Sequence, residues 1–268
     1  METLNYKVLE STGYNGYILK DAPAALLLGS FGTSCAQNKA VEHWGIEVVG
    51  EYPHSTESYT QGLFFHGDRL YESTGLNGKS RLQIVDLDSG KALVARKFSH
   101  KYFAEGSAVL DGKLFVLTWT NKVVFIYDPE TLEYRSTWSY PREGWGLTTD
   151  GKSLVASDGS SNLYFLSSEL KQERVLKVTI NGRPLRLLNE LEWIDGRIWA
   201  NVYTTDSIVV INPRSGVVEA VIDCSGLLPE PLRTADTDVL NGIAVSPDGR
   251  IFLTGKNWPK IYEVTLKK

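Results

Sequence analysis

The sequence predicts an all-β protein, a five-bladed β-propeller, from an internal repeat. A turn of small residues followed by a short apolar strand occurs five times, with its glycine at Gly67, Gly112, Gly151, Gly196 and Gly249. Repeats of roughly 40–50 residues are typical of propeller blades, each a sheet of about four strands. Runs of β-branched and aromatic residues after each turn favour strands over helices. A propeller places equivalent loops around one axis, so residues far apart in sequence can share one pocket.

Each repeat can be divided into four strands. The innermost strands are predicted from short motifs at 61–64, 105–108, 145–148, 189–192 and 241–244, and glycine is the second residue in four of these. Glycine permits close backbone approach, which is needed where strands crowd around an axis. The second strand follows the small-residue turn. Third strands are predicted at 81–86, 122–127, 162–166, 207–211 and 260–264, and fourth strands near 92–98, 132–138, 173–179 and 217–223.

The fifth repeat stops after its third strand, at Lys268. The segment 45–52 precedes the first repeat and has the composition of a strand. We expect it to complete the fifth blade, which closes the ring and covers an otherwise open sheet edge. The longest irregular stretch, 225–237, lies between the fourth and fifth repeats and is a candidate lid or rim loop.

The first part of the chain does not fit the repeat, so we predict a leader over 1–41 and a propeller domain over 42–268. Residues 22–35 are apolar, then small, and end at Cys35, as in a bacterial lipoprotein signal whose cysteine is lipidated. This pattern predicts a protein of the bacterial cell envelope or periplasm with a lipid anchor on Cys35. The alternative is a buried N-terminal strand with a structural cysteine, because Lys20 is the only nearby cation of a signal's charged region.

Composition and charge limit the partners. The chain has 268 residues, of which 42% are hydrophobic and 22% are charged, an ordinary globular composition. A formal net charge of −4 gives no reason to expect nucleic acid as a partner. Cys35 and Cys224 allow one disulfide at most. No segment reaches the roughly 18 apolar residues needed to span a bilayer. We expect a monomer.

Polar and aromatic residues recur where innermost strands begin and second strands end. In a propeller these loops lie on one face, so one mouth should gather the charged Glu105 and Lys256 with the amides of Gln61 and Asn189. Its aromatic walls would be Tyr59, Phe103, Trp119, Trp145 and Tyr203. Taken singly, each aromatic is more readily explained by core packing and each charge by a solvated rim. Their recurrence at equivalent positions favours a pocket with apolar walls and a few convergent polar groups.

Eight stretches, in order from about residue 45 to the end of the sequence, resemble the plant-type glutaminyl cyclases, which also occur in bacteria. They are YTQGL at 59–63, ESTGL at 72–76, FAEG at 103–106, GWGLTTDG at 144–151, SDG at 157–159, LNELE at 188–192, WANV at 199–202, and DVLNGIA at 238–244 with TGKNWP at 254–259. One tetrapeptide is a weak signal, whereas eight in register are a specific one.

The resemblance implies a five-bladed propeller that acts on peptides or proteins with N-terminal glutamine. Such an aminoacyltransferase converts the glutamine to pyroglutamate and releases ammonia. The resemblance also implies that Glu105 is the catalytic carboxyl. The family's other pocket positions are occupied here by Gln61, Trp119, Trp145, Asn189 and Lys256. Tyr59 stands where the relatives usually have Phe, and Tyr203 where they have Trp. Both changes keep an aromatic wall, so they concern substrate preference more than activity.

The implied reaction assigns chemical tasks to three residues. One carboxyl can accept the proton of the attacking amine and return it to the departing ammonia, which is general acid and base catalysis by Glu105. Desolvation by neighbouring aromatics would bring the pKa of Glu105 closer to neutrality. Lys256 and the Asn189 amide are candidate donors to the developing oxyanion. The aromatic walls would hold the glutamine in a folded, near-attack shape.

Other possible functions of a propeller require particular residues, and the sequence can be searched for them. The histidines show no paired ligand spacing, so we expect no catalytic metal, while a structural cation in the central channel is left open. They are His43, His54, His66 and His100. The alternative function is a non-enzymatic propeller scaffold that docks peptides or proteins, because fold alone does not settle function. A lactonase-like or strictosidine-synthase-like hydrolase would need metal-binding carboxylates and amides on the axis. Only Asp238 and Asn241 suit that role, and bracing of the last innermost strand explains them better.

Overall fold

The computed structural model describes residues 40–268, and its regular structure is almost entirely β-strand. Strand β1 (Glu42–Pro53) precedes three separate four-stranded antiparallel sheets. The first sheet contains β2 (Thr60–His66), β3 (Arg69–Thr74), β4 (Arg81–Asp86) and β5 (Lys91–Lys97). The second contains β6 (Ala104–Leu110), β7 (Lys113–Thr118), β8 (Val123–Tyr127) and β9 (Tyr134–Ser139). The third contains β10 (Leu147–Thr149), β11 (Leu154–Ala156), β12 (Asn162–Leu166) and β13 (Gln172–Lys177).

The remaining strands form a small hairpin and one large sheet. The hairpin consists of β14 (Thr179–Ile180) and β15 (Arg183–Pro184). A fourth antiparallel group follows, with β16 (Leu188–Ile194), β17 (Arg197–Val202), β18 (Ser207–Ile211) and β19 (Val218–Asp223). A 3₁₀ turn over Glu230–Leu232 leads to the last strands, β20 (Leu240–Val245), β21 (Ile251–Gly255) and β22 (Lys260–Lys267). The all-β prediction is confirmed for the described part of the chain.

Strand β1 joins the fourth group to the last three strands. Residues 45–53 pair antiparallel with β22, so the prediction that segment 45–52 adds the missing strand there is confirmed. Residues 42–44 run parallel to β19, a pairing that the sequence pattern did not predict. The result is an eight-stranded sheet in the order β16-β17-β18-β19-β1-β22-β21-β20. Both the outer edge of β19 and that of β22 are therefore covered by the same strand.

The first strands of the five groups contact one another in a closed cycle. Strand β2 contacts β6, β6 contacts β10, β10 contacts β16, β16 contacts β20, and β20 contacts β2. Glycine permits this close approach, as predicted. A Cβ added to Gly106 would lie 2.4 Å from the Leu147 nitrogen, and one added to Gly146 would lie 2.0 Å from the Asn189 oxygen. Any side chain at these positions would push neighbouring strands apart.

The hydrophobic core lies between neighbouring sheets. One cluster packs Phe64 and Tyr71 of the first sheet against Leu114 and Val116 of the second. Equivalent clusters lie at the other four junctions, including the one that packs Leu63 and Leu70 against Phe252 and Ile261. The inner strands of each sheet therefore bury both faces, which explains the continuous apolar character of strands such as β4 and β7, whereas the outermost strands β5, β9 and β13 are largely exposed.

The structure also bears on the predictions for the leader, the two cysteines, the irregular stretch and a membrane span. The lipoprotein signal and Cys35 lie outside the described residues. Cys224 is buried and unpaired within residues 40–268, and burial raises the pKa of its thiol to about 12. The irregular stretch 225–237 is anchored at its start, because Leu227 and Leu228 are buried in the core between the fourth group and the last strands. In the described part of the chain, no helix has the length and apolar character needed to cross a bilayer.

Candidate active site

A cavity of about 200 Å³ opens where the first strands begin. All nine residues predicted from the sequence line it: Tyr59, Gln61, Phe103, Glu105, Trp119, Trp145, Asn189, Tyr203 and Lys256. The structure therefore brings the predicted carboxyl, ammonium, amide and aromatic groups to one place. No predicted pocket residue lies elsewhere.

The repeat explains how distant residues meet. Gln61, Glu105 and Asn189 are each the second residue of a first strand, namely β2, β6 and β16. A second set directly follows second strands: Trp119 follows β7, Tyr203 follows β17 and Lys256 follows β21. In an antiparallel pair the start of one strand lies beside the end of the next. Both sets therefore lie at the same edge of their sheets and face one cavity.

Glu105 is the buried acid of the cavity. It is 5% exposed, and no side chain of residues 40–268 donates a hydrogen bond to its carboxyl. Its backbone is fixed, because Ser73 Oγ donates to the Glu105 carbonyl oxygen at 2.6 Å. Burial raises the pKa of Glu105 well above its usual range; Lys256 opposes this shift and Glu143 adds to it. A desolvated carboxyl with free lone pairs is suited to exchanging a proton with a bound ligand.

Lys256 is the buried cation of the cavity and is 3% exposed. Its Nζ lies 4.8 Å from the ring centroid of Tyr59 and 4.9 Å from that of Tyr203, so two aromatic faces replace water around the ammonium. Burial lowers the pKa of Lys256, while Glu105 and Asp238 raise it. Two backbone hydrogen bonds to the 238–239 segment fix its main chain.

The aromatic walls are rings in edge-to-face contact. Tyr59 meets Phe103 at a centroid distance of 6.2 Å, and Phe103 meets Trp119 at 5.7 Å. On the opposite side Trp145 meets Tyr203 at 5.6 Å with an interplanar angle of 84°. Such edge-to-face contacts stabilise the ring orientations beyond the free energy gained from burying the ring surfaces. Both Tyr59 and Tyr203, the residues that depart from the family's pattern, remain part of the wall.

Asp238 and Asn241 brace the cavity. The Tyr59 hydroxyl donates to Asp238 Oδ2 at 2.6 Å, and burial and this contact raise the pKa of Tyr59. Asn241 Nδ2 donates to the Thr60 carbonyl oxygen at 2.8 Å and to Gln61 Oε1 at 3.1 Å. The Gln61 amide is thereby oriented with its oxygen occupied. Among residues 40–268, no group of three His, Cys, Asp or Glu side chains is arranged to hold a metal ion.

Sequence reasoning missed Glu143. Its Oε2 accepts hydrogen bonds from Trp119 Nε1 at 3.0 Å and from Trp145 Nε1 at 3.4 Å, so one carboxylate contacts two walls of the cavity. The other side of Trp145 packs on Gly159, where an added Cβ would lie 2.7 Å from the indole. Glu143 lies only two residues before Trp145, and this proximity to a predicted pocket residue could have identified it. It was missed because it lies in a loop and not in a repeated strand motif.

Comparison with known proteins decides the family. The sequence model of the glutamine cyclotransferase family matches residues 22–266. The chain belongs to the glutamine cyclotransferase family. This cyclotransferase is 41% identical over 264 residues to a glutaminyl-peptide cyclotransferase of Arabidopsis thaliana, covering 92% of this chain and 82% of the plant protein. The crystal structure of Myxococcus xanthus glutaminyl cyclase matches with a TM-score of 0.79 and 37% identity, covering 85% of this chain and 98% of the bacterial one. The resemblance inferred from the eight sequence stretches is confirmed.

Proposed function

We propose that the chain is a glutaminyl-peptide cyclotransferase, which converts the N-terminal glutamine of a peptide or protein to pyroglutamate and releases ammonia. The observation that carries this proposal is that Glu105 and Lys256 line the same cavity. A buried carboxyl without a side-chain hydrogen-bond donor in residues 40–268 and a buried ammonium face the same aromatic-walled cavity. Membership of the glutamine cyclotransferase family and the two relatives support the same reaction.

The fold that supports this site is a five-bladed propeller. Each four-stranded group is one blade, and the fifth consists of β20, β21 and β22 closed by β1. The closed cycle of contacts among the five first strands and the five core clusters between neighbouring sheets support this arrangement.

Binding comes first in the proposed mechanism. The rings of Phe103, Trp119 and Trp145 enclose the aliphatic part of the glutamine side chain. When the rings enclose the flexible glutamine side chain, it is held in a folded conformation with the α-amine close to the side-chain amide carbon. The substrate is therefore bound in a near-attack geometry. A cavity of about 200 Å³ suits one terminal residue, while the rest of the peptide leaves through the mouth.

Proton transfer falls to Glu105. The unprotonated α-amine attacks the amide carbon, and the new C–N bond closes a five-membered lactam ring. Glu105, in its ionised form, accepts the proton that the amine nitrogen must lose. It then donates this proton to the departing amide nitrogen, the C–N bond to that nitrogen breaks, and ammonia leaves. Since burial raises its pKa, the ionised carboxyl is a stronger base than that of an exposed glutamate and can hold the proton until it returns it to the leaving nitrogen.

Charge stabilisation falls to Lys256 and Asn189. Negative charge develops on the amide oxygen as the tetrahedral intermediate forms, and fixed donors at that oxygen lower the barrier. The Lys256 ammonium has no ion-pair partner within residues 40–268 and lies between two tyrosine rings, so it is held ready without being neutralised. The Asn189 side chain is 3% exposed and lines the same cavity.

The test is ammonia release from a glutamine-leading dipeptide amide, with an asparagine-leading dipeptide amide as the substrate control. We expect the wild-type chain to release ammonia from the first peptide only. Glu105→Gln should lower kcat by about 10²–10⁴, the usual contribution of general acid and base catalysis. Glu133→Gln, on the exposed loop before β9, removes an equal charge outside the cavity and should keep full activity. Binding of the peptide without ammonia release would support the scaffold function instead, and near-normal turnover by Glu105→Gln would overturn the role of Glu105.

A further inference from the structure

Glu143 links two sheets at the mouth of the cavity. Its Oε2 accepts from the indole N–H of Trp119, which follows β7 in the second sheet, at 3.0 Å. The same oxygen accepts at 3.4 Å from the indole N–H of Trp145, which precedes β10 in the third sheet. Trp119 is 41% exposed, so its edge-to-face contact with Phe103 leaves part of its ring unpacked and the hydrogen bond to Glu143 adds a second restraint. The shared acceptor therefore sets the relative orientation of two walls that belong to different sheets.

The charge of Glu143 also acts on Glu105, where it raises the pKa of the buried carboxyl. Within residues 40–268 no cation lies within ion-pair distance of its carboxylate. Its neighbour Arg142 is occupied elsewhere, because its guanidinium stacks on Tyr164 at 3.8 Å and donates to Gln172. Lys256 and Glu143 are the charged groups that act on the pKa of Glu105, and Glu105 and Asp238 are those that act on the pKa of Lys256. Burial raises the pKa values of Tyr59 and Tyr203, whose hydroxyl groups also face Glu105 closely enough for its charge to raise them further.

We propose that Glu143 is a positioning residue for the cyclisation, which fixes Trp119 and Trp145 around the glutamine side chain and offsets the positive charge of Lys256 at Glu105. This inference rests on the proposed function. Lys256 favours the ionised form of Glu105 and lowers its pKa, whereas Glu143 disfavours it and raises the pKa. Without Glu143, Glu105 would be a weaker base at neutral pH.

Two substitutions separate the geometric role from the electrostatic one. Glu143→Gln keeps a side-chain oxygen that accepts from an indole N–H but removes the charge. Because the pKa of Glu105 then falls, the acidic limb of the kcat/KM profile should move to lower pH by about 0.5 unit, with KM nearly unchanged. Glu143→Ala removes both the acceptor and the charge. We expect the same shift of the limb and a KM raised about tenfold, because Trp119 and Trp145 lose their common acceptor.

A third substitution isolates the indole contact. Trp119→Phe removes one N–H donor and leaves the charge of Glu143, so KM should rise while the acidic limb stays at its wild-type pH. Glu133→Gln is the matched control for charge, and its profile should coincide with that of the wild type. If Glu143 had a purely structural role, its variants would have a lower melting temperature but an acidic limb of the kcat/KM profile at the wild-type pH. The position of this limb therefore tests the inference even where a variant is less stable.

The outcomes distinguish this inference from the function on which it rests. If the wild-type chain releases no ammonia from the glutamine dipeptide, the proposed function and the role of Glu143 both fail. If the wild-type chain is active and Glu143→Gln leaves the acidic limb in place, or Glu143→Ala leaves KM unchanged, only the role of Glu143 is overturned. A limb that moves to higher pH would also overturn it.

Discussion

Glu72 and Glu105 are both buried, yet they are surrounded in opposite ways. Glu72, on β3, is 0% exposed and its two oxygens are fully occupied. It accepts hydrogen bonds from Thr60 Oγ1 at 2.7 Å, Gln83 Nε2 at 2.6 Å and Ser58 Oγ at 3.1 Å, and it pairs with His54 Nε2 at 3.0 Å. Glu105 is 5% exposed and receives no such bond from side chains of residues 40–268.

The two carboxyls therefore titrate in opposite directions. Burial raises the pKa of both. For Glu72 the charge of His54 and the hydrogen bonds outweigh burial, so its pKa falls below the usual range. For Glu105 burial prevails over Lys256, so its pKa rises. The comparison teaches that partners, rather than burial, decide whether a buried acid is a structural anion or a reactive group.

The largest expected effect separates the two residues by stability. Glu72→Gln breaks a buried ion pair and should lower the free energy of unfolding by about 3–5 kcal/mol, since His54 and the donors around it lose their anion. Glu105→Gln replaces a desolvated acid by a neutral amide and should be neutral or slightly stabilising. Urea unfolding at pH 7 measures both. Equal losses of unfolding free energy in the two variants would contradict the difference argued between Glu72 and Glu105.

Next in size is the effect of Lys256 on turnover. Lys256→Met keeps a long side chain between Tyr59 and Tyr203 but removes the proposed donor to the oxyanion. We expect kcat to fall by about 10²–10³. The acidic limb of kcat/KM should also move to higher pH, because Lys256 no longer lowers the pKa of Glu105. A mild loss of kcat would mean that Lys256 neutralises charge at the rim without contacting the reacting oxygen.

A smaller effect tests whether Glu72 depends on each of its donors. Gln83→Leu removes one hydrogen bond to a charged acceptor and should lower the free energy of unfolding by about 2 kcal/mol. Its kcat should equal that of the wild type, because Gln83 lies outside the cavity. An unchanged stability, measured in the same urea titration, would show that the remaining donors suffice to hold the anion.

The smallest effect is the dependence of stability on pH. The native state keeps a proton on Glu105 that the unfolded chain releases above pH ~4.3, so stability should fall by up to about 1.4 kcal/mol per pH unit from there toward the raised native pKa. Glu105→Gln should remove this slope. Glu72 acts in the reverse sense, since its lowered native pKa stabilises the fold above pH ~4.3 and that contribution is lost as pH falls.

His54 makes the stability of the fold depend on pH on the alkaline side as well. Burial lowers its pKa, but the charge of Glu72 and the hydrogen bonds to Glu72 and Trp258 outweigh burial, so the native pKa is raised. Its contribution to stability is complete below pH ~6.5 and is lost as pH rises through the native pKa. Urea titrations of the wild type and the two glutamate variants between pH 3 and 9 measure these slopes, and parallel curves for all three would contradict the assignment.

Most of the strand pattern could be predicted because it repeats. The third strands predicted at 81–86, 162–166 and 207–211 have the observed bounds. The third innermost strand begins at Leu147 rather than at 145, because Trp145 turns its side chain into the cavity before regular pairing starts. The hairpin β14–β15 was not predicted, although Asn181-Gly182 is a two-residue turn signal, because it lies outside the repeat.

The lining of the cavity could be predicted for the same reason. Equivalent positions in a repeat face one mouth, so the cavity residues follow once the strands are aligned. Glu143 has no equivalent in the other repeats, and its contact with two indoles depends on the directions of side chains in a loop. The partners of Glu72 likewise come from two parts of the chain, the 54–60 segment and Gln83 of β4, and no periodic pattern marks them as its partners. Such pairings are decided by tertiary packing.

The pairing of β1 with β22 has a consequence for partial unfolding. Glu105 lies on β6, whereas Lys256 lies between β21 and β22. Lys256 is fixed by backbone bonds to the 238–239 segment, and His54, directly after β1, binds the Trp258 carbonyl oxygen at 2.8 Å. Local separation of β1 from β22 would therefore loosen the segment that carries the ammonium while β6 keeps its neighbours. The cation, and not the acid, should be the first of the two charged groups to lose its place.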